Sequence, residues 1–288
     1  MAVKDLWVFS EKTSLQAELL AGARTLAEAT GGGVAAIVVG DETSAKAALA
    51  QGADKVFWLG EKADKLVEDF VPTIAGLVQS HKPCALLIGA SKRGKAVAGR
   101  LGAALDTTVI TDVKKFFVEG DVIQASHLIF GGGAVRVEKS ATETMIATFG
   151  LGIFEPLAAD PSRQGEIIQV PFVEPKTRWT LRERKPKPPS TVNLAAAKKV
   201  VCPGRGLQKK EDLDMIFELA GLLEAEVGAT RPLCEGLDWL PRERYIGVSG
   251  AFIKPDLYLG IGVSGQAQHT VGITESRVVV AINKDEEA

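Results

Sequence analysis

The sequence predicts an α/β protein of two domains, each a mostly parallel sheet flanked by helices, and three observations carry that expectation. Up to residue 105, short apolar runs alternate with alanine-rich stretches of helical length. That alternation is the pattern of parallel strands joined by helical crossovers. A charged, proline-rich stretch, TRWTLRERKPKPPSTVN, then has no apolar period at all, which marks a linker. From Ala197 a fresh strand and helix series begins.

In the first domain, apolar runs at 6–9, 34–39, 55–59 and 85–89 read as strands. Helical stretches at 14–29, 44–51 and 63–80 separate them, and small residues over 95–105 predict one more helix. Runs at 108–118, 122–130, 134–140 and 144–149, parted by glycine turns, read as consecutive strands and are expected to form an antiparallel addition to the sheet. A last strand is expected at 169–173. The second domain offers strands at 199–201, 226–228, 257–260 and 277–282, with a helix over 211–223. The expected organisation is therefore an N-terminal α/β domain at 1–184, a linker at 185–196 and a Rossmann-like domain at 197–288.

Composition excludes several function classes. With 288 residues, 46% hydrophobic and 24% charged, the chain buries real cores and has no signature of disorder. A net charge of −2 and only 6% aromatic residues argue against nucleic-acid binding, which needs a basic face. Cys84, Cys202 and Cys234 have no C-x-x-C spacing, so neither a zinc site nor a disulfide framework is indicated and a reducing compartment fits. MAVKDLWVFSEK has no charged n-region followed by an apolar stretch, and no apolar run approaches a membrane span. A cytoplasmic protein is expected.

The richest segment is DLYLGIGVSGQAQHTVGITESRVVVAIN, from Asp256 to Asn283. Gly260, Gly262 and Gly265 stand at G-x-G-x-x-G spacing where a strand hands over to a helix, a turn that lets backbone approach a pyrophosphate. The spacing alone fits a plain tight turn equally well. Ser264, Gln266, Gln268 and His269 follow, placing polar groups where the helix start favours an anion. Three further loops fall on the same sheet edge. They are Gly204-Arg205-Gly206, Ala229-Thr230-Arg231-Pro232 and Gly247-Val248-Ser249-Gly250. Two arginines and a hydroxyl at successive strand exits outline a long pocket suited to phosphate.

Other chemistries fit less well. Ser249 and Ser264 are each followed directly by glycine, so neither sits in G-x-S-x-G, and no acid is placed to orient His269. His269 also lacks a second ligand at metal spacing. In the first domain GASKRGKA matches G-x-x-x-x-G-K but ends in Ala96, without the hydroxyl that holds magnesium. A basic turn opening a small-residue helix is the expected reading of Lys92, Arg93 and Lys95, with a partner contact as their second use. Cys84 and Cys202 are expected to be buried, and Cys234 to be exposed near the pocket. A nicotinamide-dependent oxidoreductase would use the same glycine turn, though no acid–base pair stands beside it.

Taken together, VCPGRGL, GATRPLCEG, YIGVSG and PDLYLGIGVSGQAQHTVGI followed by VVVAINKD resemble the α subunit of electron transfer flavoproteins, the group that includes FixB-type proteins. The resemblance covers residues 200–285, and more loosely the first domain through GASKRGKAVAGRLGAALDTTVITDV. It implies FAD on the C-terminal domain and a β subunit that docks on the first domain to complete a heterodimer. It further implies an electron carrier serving flavin dehydrogenases such as acyl-CoA dehydrogenases, with the FAD domain swinging about the linker. By position, the resemblance lays Arg205 along the dinucleotide, Thr230 and Arg231 beside the isoalloxazine, and Ile246, Gly247, Val248 and Ser249 near its N5. Ser264, Gly265, Gln266, Ala267, Gln268 and His269 would surround the pyrophosphate and ribityl chain, with the His269 ring at the pyrimidine edge. Asn283 would meet the adenosine half. The chain departs from the family at Ser249 and Ala251, where threonine and lysine are common, and in ending at Ala288 without a further acidic contact and closing helix. Both departures lead to an expectation of altered potential and weaker hold on the adenine end.

Overall fold

The computed structural model describes residues 5–120, 122–183 and 192–288. Two compact units divide them: one takes in 5–128 and 135–183, the other 129–134 and 192–288. Of the stretch 185–196 expected as a linker, 185–191 lie outside the described residues.

The first unit carries a nine-stranded sheet. Its central strands β1 (Leu6–Phe9), β2 (Val34–Val38), β3 (Lys55–Trp58) and β4 (Ala85–Gly89) are parallel and largely buried. Alternate side chains serve opposite faces. Leu6, Val8, Ala36 and Leu87 pack with helices α1 (Thr13–Thr30) and α2 (Glu42–Ala50). Trp7, Phe9, Ile37 and Ile88 pack with α3 (Val71–His81) and α4 (Lys92–Ala104). Burial on both faces explains why these strands are continuous apolar runs.

Capping residues set the helix starts. Asp41 accepts from the Ser44 amide and starts α2 two residues before the expected point; Ser91 accepts from the Gly94 amide and starts α4 three residues early. Helix is expected from residue 63, but Ala63 takes φ 45° and the turn begins only at Val67.

The strands β5 (Val109–Glu119), β6 (Val122–Ile129), β7 (Ala134–Lys139), β8 (Met145–Phe149) and β9 (Glu166–Gln169) complete the order β7-β6-β5-β8-β4-β1-β2-β3-β9. The expected antiparallel addition holds for β5 with β6, whereas β8 inserts between β4 and β5 and pairs parallel with both. The last strand also differs from expectation, lying at Glu166–Gln169 and not 169–173. Phe172 leaves the sheet edge to meet Phe70 edge to face, with ring centroids 5.1 Å apart, and the Val173 amide bonds the Thr73 hydroxyl at 2.9 Å.

Two cations of the basic turn pair within the first unit. Arg93 pairs with Glu68 at 2.8 Å and Lys95 with Asp112 at 2.7 Å, while Ser91 bonds Glu11 across the gap between the ends of β4 and β1.

The second unit is a four-stranded parallel sheet, β11-β10-β12-β13, made of β10 (Lys199–Pro203), β11 (Glu226–Val227), β12 (Leu257–Ile261) and β13 (Val278–Ile282). Helix α5 (Leu213–Leu223) covers one face with Val201, Leu259 and Leu233. Val192, Leu194, Val200, Cys202, Tyr258 and Ile273 form the layer on the other. β13 is the outer strand, exposed along its whole length.

Candidate functional site

From β10 the chain steps to β11 on one side and later to β12 on the other. The carboxyl ends of β10 and β12 therefore flank a topological switch point, where open parallel sheets bind ligands. Two glycine loops meet there at backbone contact. The Gly204 amide donates to the Ile261 carbonyl at 2.8 Å and the Gly206 amide to the Gly262 carbonyl at 2.9 Å. A Cβ on Gly206 would stand 2.7 Å from the Gly262 Cα, so neither loop tolerates a side chain on its inner side.

Beyond that junction Gly262 and Gly265 take φ 64° and 65°, turning the chain into the single-turn helix α6 (Ala267–Thr270). The amides of residues 263–268 have no acceptor among the described residues, and 264–268 are exposed. Six consecutive amides over a glycine turn are thus left as donors, the kind of backbone run from which anion sites are built. One turn of helix supplies little dipole.

The loops after β11 and before β12 are tied to this edge. The Thr230 amide donates to the Pro203 carbonyl at 3.2 Å, and the Ile246 amide to the Ala229 carbonyl at 3.0 Å. A tight turn follows, closed by the Gly250 amide on the Gly247 carbonyl at 2.9 Å. The Val248 amide then reaches the Gln268 carbonyl at 2.8 Å, joining the serine loop to the glycine turn. The hydroxyl Oγ1 of buried Thr230 has no hydrogen-bond partner among the described residues.

His269 sits beneath this junction, 8% exposed. Its Nδ1 lies 2.9 Å from the Ile246 carbonyl, which can only accept, so Nδ1 carries the proton. Nε2 is then the acceptor for the Tyr258 hydroxyl at 2.6 Å. Burial holds its pKa below the usual imidazole value and pushes the neighbouring Cys202 thiol up to about 12. A neutral ring is thus buried with both nitrogens engaged within the unit.

The remaining expected residues divide by exposure. Arg205 and Ser249 are exposed, with the Ser249 hydroxyl 3.4 Å from that of Tyr245. Arg231 is exposed and its Nε donates to Glu235 at 2.8 Å, a carboxylate that Arg242 also approaches at 3.0 Å. Asn283 ties the end of β13 to the glycine loop, its amide donating to the Val263 carbonyl at 2.9 Å. Cys234 corrects an expectation: it is 5% exposed, packed with Leu233 and Leu240, and burial raises its thiol to about 11. Cys84 is half-buried. Two residues escaped the sequence reading. Glu235 stands at i+4 from Arg231, a visible pairing signal; Tyr258 is the one hydroxyl in the run LYLGI, and a buried tyrosine needs a partner.

The residues present fit a dinucleotide: a donor run for the pyrophosphate, glycines allowing close approach, exposed arginines, and an unsatisfied buried hydroxyl. No group of three or more His, Cys, Asp or Glu able to hold a metal occurs among the described residues. Nor is any described helix long and apolar enough to cross a membrane.

Comparison with known proteins agrees with this geometry. A family model described as the electron transfer flavoprotein domain matches residues 7–175. A second, the electron transfer flavoprotein FAD-binding domain, matches 193–274. YdiR of Escherichia coli (strain K12), named for an electron transfer flavoprotein subunit, is 41% identical over 287 residues, covering 99% of this chain and 90% of the relative. Protein FixB of Salmonella typhimurium (strain LT2) and of Shigella flexneri are each 34% identical over 286 residues, with the same coverage.

Proposed function

Because the chain belongs to the electron transfer flavoprotein family, as an α subunit of the FixB type, we propose that its second unit holds FAD and passes electrons between flavin dehydrogenases, acyl-CoA dehydrogenases among them, and an acceptor. The observation that carries this reading is the free amide run at 263–268 beside the switch point, fastened by glycine contacts to the loop bearing Arg205. When bound, FAD supplies the electron-accepting ring, and the chain's residues bind it and tune its surroundings.

Each group has a role that its placement supports. The amides of 263–268 hold the pyrophosphate, and Arg205 lies along it. Arg231 and Ser249, exposed on adjoining loops, offer a cation and a hydroxyl to the ring edge, favouring added negative charge. Thr230 has a buried hydroxyl free to donate toward the same edge. His269 serves from below: it braces the serine loop and does not face the ligand. Asn283 holds the glycine loop to β13 at the adenosine end. The first unit, whose own switch point is bridged by Ser91 and Glu11, serves as the platform for a β subunit in a cytoplasmic heterodimer.

Copurification with the β subunit tests this reading. A yellow complex with a flavin absorption spectrum, its FAD released on denaturation, supports it. A colourless complex that binds NADH refutes it.

A further inference from the structure

We propose that Tyr258 is a positioning residue for the dinucleotide site: acting through His269, its hydroxyl sets the separation of the serine loop and the glycine loop that face the ligand. The inference rests on the dinucleotide reading above and assigns a role to a strand residue that touches no part of the open edge.

The Ile246 carbonyl, the His269 ring and the Tyr258 hydroxyl form one hydrogen-bonded chain. The Ile246 carbonyl fixes the proton on Nδ1 of His269, the minor tautomer of a free imidazole in water, and leaves Nε2 bare. Tyr258 supplies the strong donor that a bare, buried Nε2 needs, at 2.6 Å; the other neighbour, the Cys202 sulfur, is 3.9 Å away and a weak donor. The clamp has a second point one residue back, where the Gln268 carbonyl takes the Val248 amide at 2.8 Å. Between the two points lies Gly247 at φ 141°, where a Cβ would stand 2.5 Å from the Gln268 carbonyl oxygen. The serine loop is therefore gripped on both sides of one glycine, and the grip is anchored to the sheet through Tyr258 on β12. Tyr258 itself is buried in the layer of Cys202, Ile246, Ile253 and Ile273.

Removing only the hydroxyl should loosen the loop and leave the sheet intact. In Tyr258→Phe the Ile246 carbonyl still holds the proton on Nδ1, Nε2 keeps no partner better than a thiol, and the ring loses its tie to β12. Three measurements on the full-length chain, alone and with its β subunit, read this. Nitrogen-15 spectra of His269 should show the neutral Nδ1-protonated form in both chains, with the Nε2 resonance shifted in Tyr258→Phe by loss of its hydrogen bond. Amide exchange should quicken at Gly247 and Val248 and stay unchanged in β10 and β12, a pattern that general destabilisation does not give. FAD affinity should fall about tenfold. On a His269→Leu background the same Tyr258→Phe change should add no further loss, because the two residues act as one unit. An Nε2-protonated ring in the unaltered chain, uniform exchange, or a full additional loss on the His269→Leu background overturns the inference. A chain that gives both clamp signatures yet takes up no FAD overturns the dinucleotide reading instead, so the two failures are distinguishable.

Discussion

Replacing Gly204 with alanine probes the junction of the two glycine loops. A Cβ there would stand 2.3 Å from the Gly262 carbonyl oxygen and 2.7 Å from the Val263 Cα, against an ordinary contact of 3.4 Å. The loops must therefore part by about 1 Å. Both obstacles are backbone, so no side-chain rotation relieves the clash, and the bond from the Gly204 amide to the Ile261 carbonyl stretches with it. Overpacking of this kind costs about 1–3 kcal/mol. If the strain falls on the arrangement that holds the dinucleotide, FAD affinity drops roughly five- to a hundredfold. Gly221, within α5, is the control, because a Cβ there meets nothing within 4 Å. Alanine at that position should stabilise the helix by about 0.5–1 kcal/mol and leave FAD binding alone. The assay is an FAD titration of the heterodimer followed by flavin fluorescence, with thermal melting of each variant. Unchanged affinity in Gly204→Ala, or an equal loss in Gly221→Ala, would refute the idea that loop contact shapes the site.

Three further outcomes are expected. Thr230→Val should leave the FAD-free chain as stable or more so, because it removes a buried hydroxyl without a partner, yet weaken FAD about fivefold if that hydroxyl bonds the ligand; melting and titration of the same variant separate the two effects. Glu235→Gln frees Arg231 and Arg242 from their shared carboxylate, so FAD binding should strengthen at low ionic strength and lose the gain in about 0.5 M salt. A salt-independent change would point elsewhere. The third concerns pH: His269 stays neutral in the fold below the ordinary value of 6.5, so the unfolded chain takes up the proton first. Its contribution is present above pH 6.5 and is lost as pH falls through the folded value, at up to about 1.4 kcal/mol per pH unit. Urea melts across that window should show a steeper fall for the unaltered chain than for His269→Gln, and parallel curves would contradict the assignment.

Much of the fold was readable because its central strands are buried on both faces and so appear as unbroken apolar runs. The errors have local causes. The run at 169–173 is as apolar as a strand, but Phe172 packs edge to face with Phe70, and the pairing lies three residues back. Insertion of β8 between β4 and β5 depends on long-range register that no local pattern encodes. Helix starts slipped by two or three residues because Asp41 and Ser91 cap from outside the apolar period. At the site, the glycine spacing and the arginines at strand exits were visible, since they are side-chain or Cβ properties. The free amides at 263–268 were not, being backbone groups whose availability depends on the turn adopted. The inward turn of His269 was hidden for another reason: its partner Tyr258 sits eleven residues earlier in a strand.

The central claim is that the amides of residues 263–268 cradle a dinucleotide pyrophosphate, and amide nitrogen-15 shifts of the full-length heterodimer titrated with FAD test it most directly. The account predicts that the amides from Val263 through Gln268 shift together and saturate with the flavin absorption change, while those of α5 stay still. Saturation of the flavin signal with those six amides unmoved would contradict it.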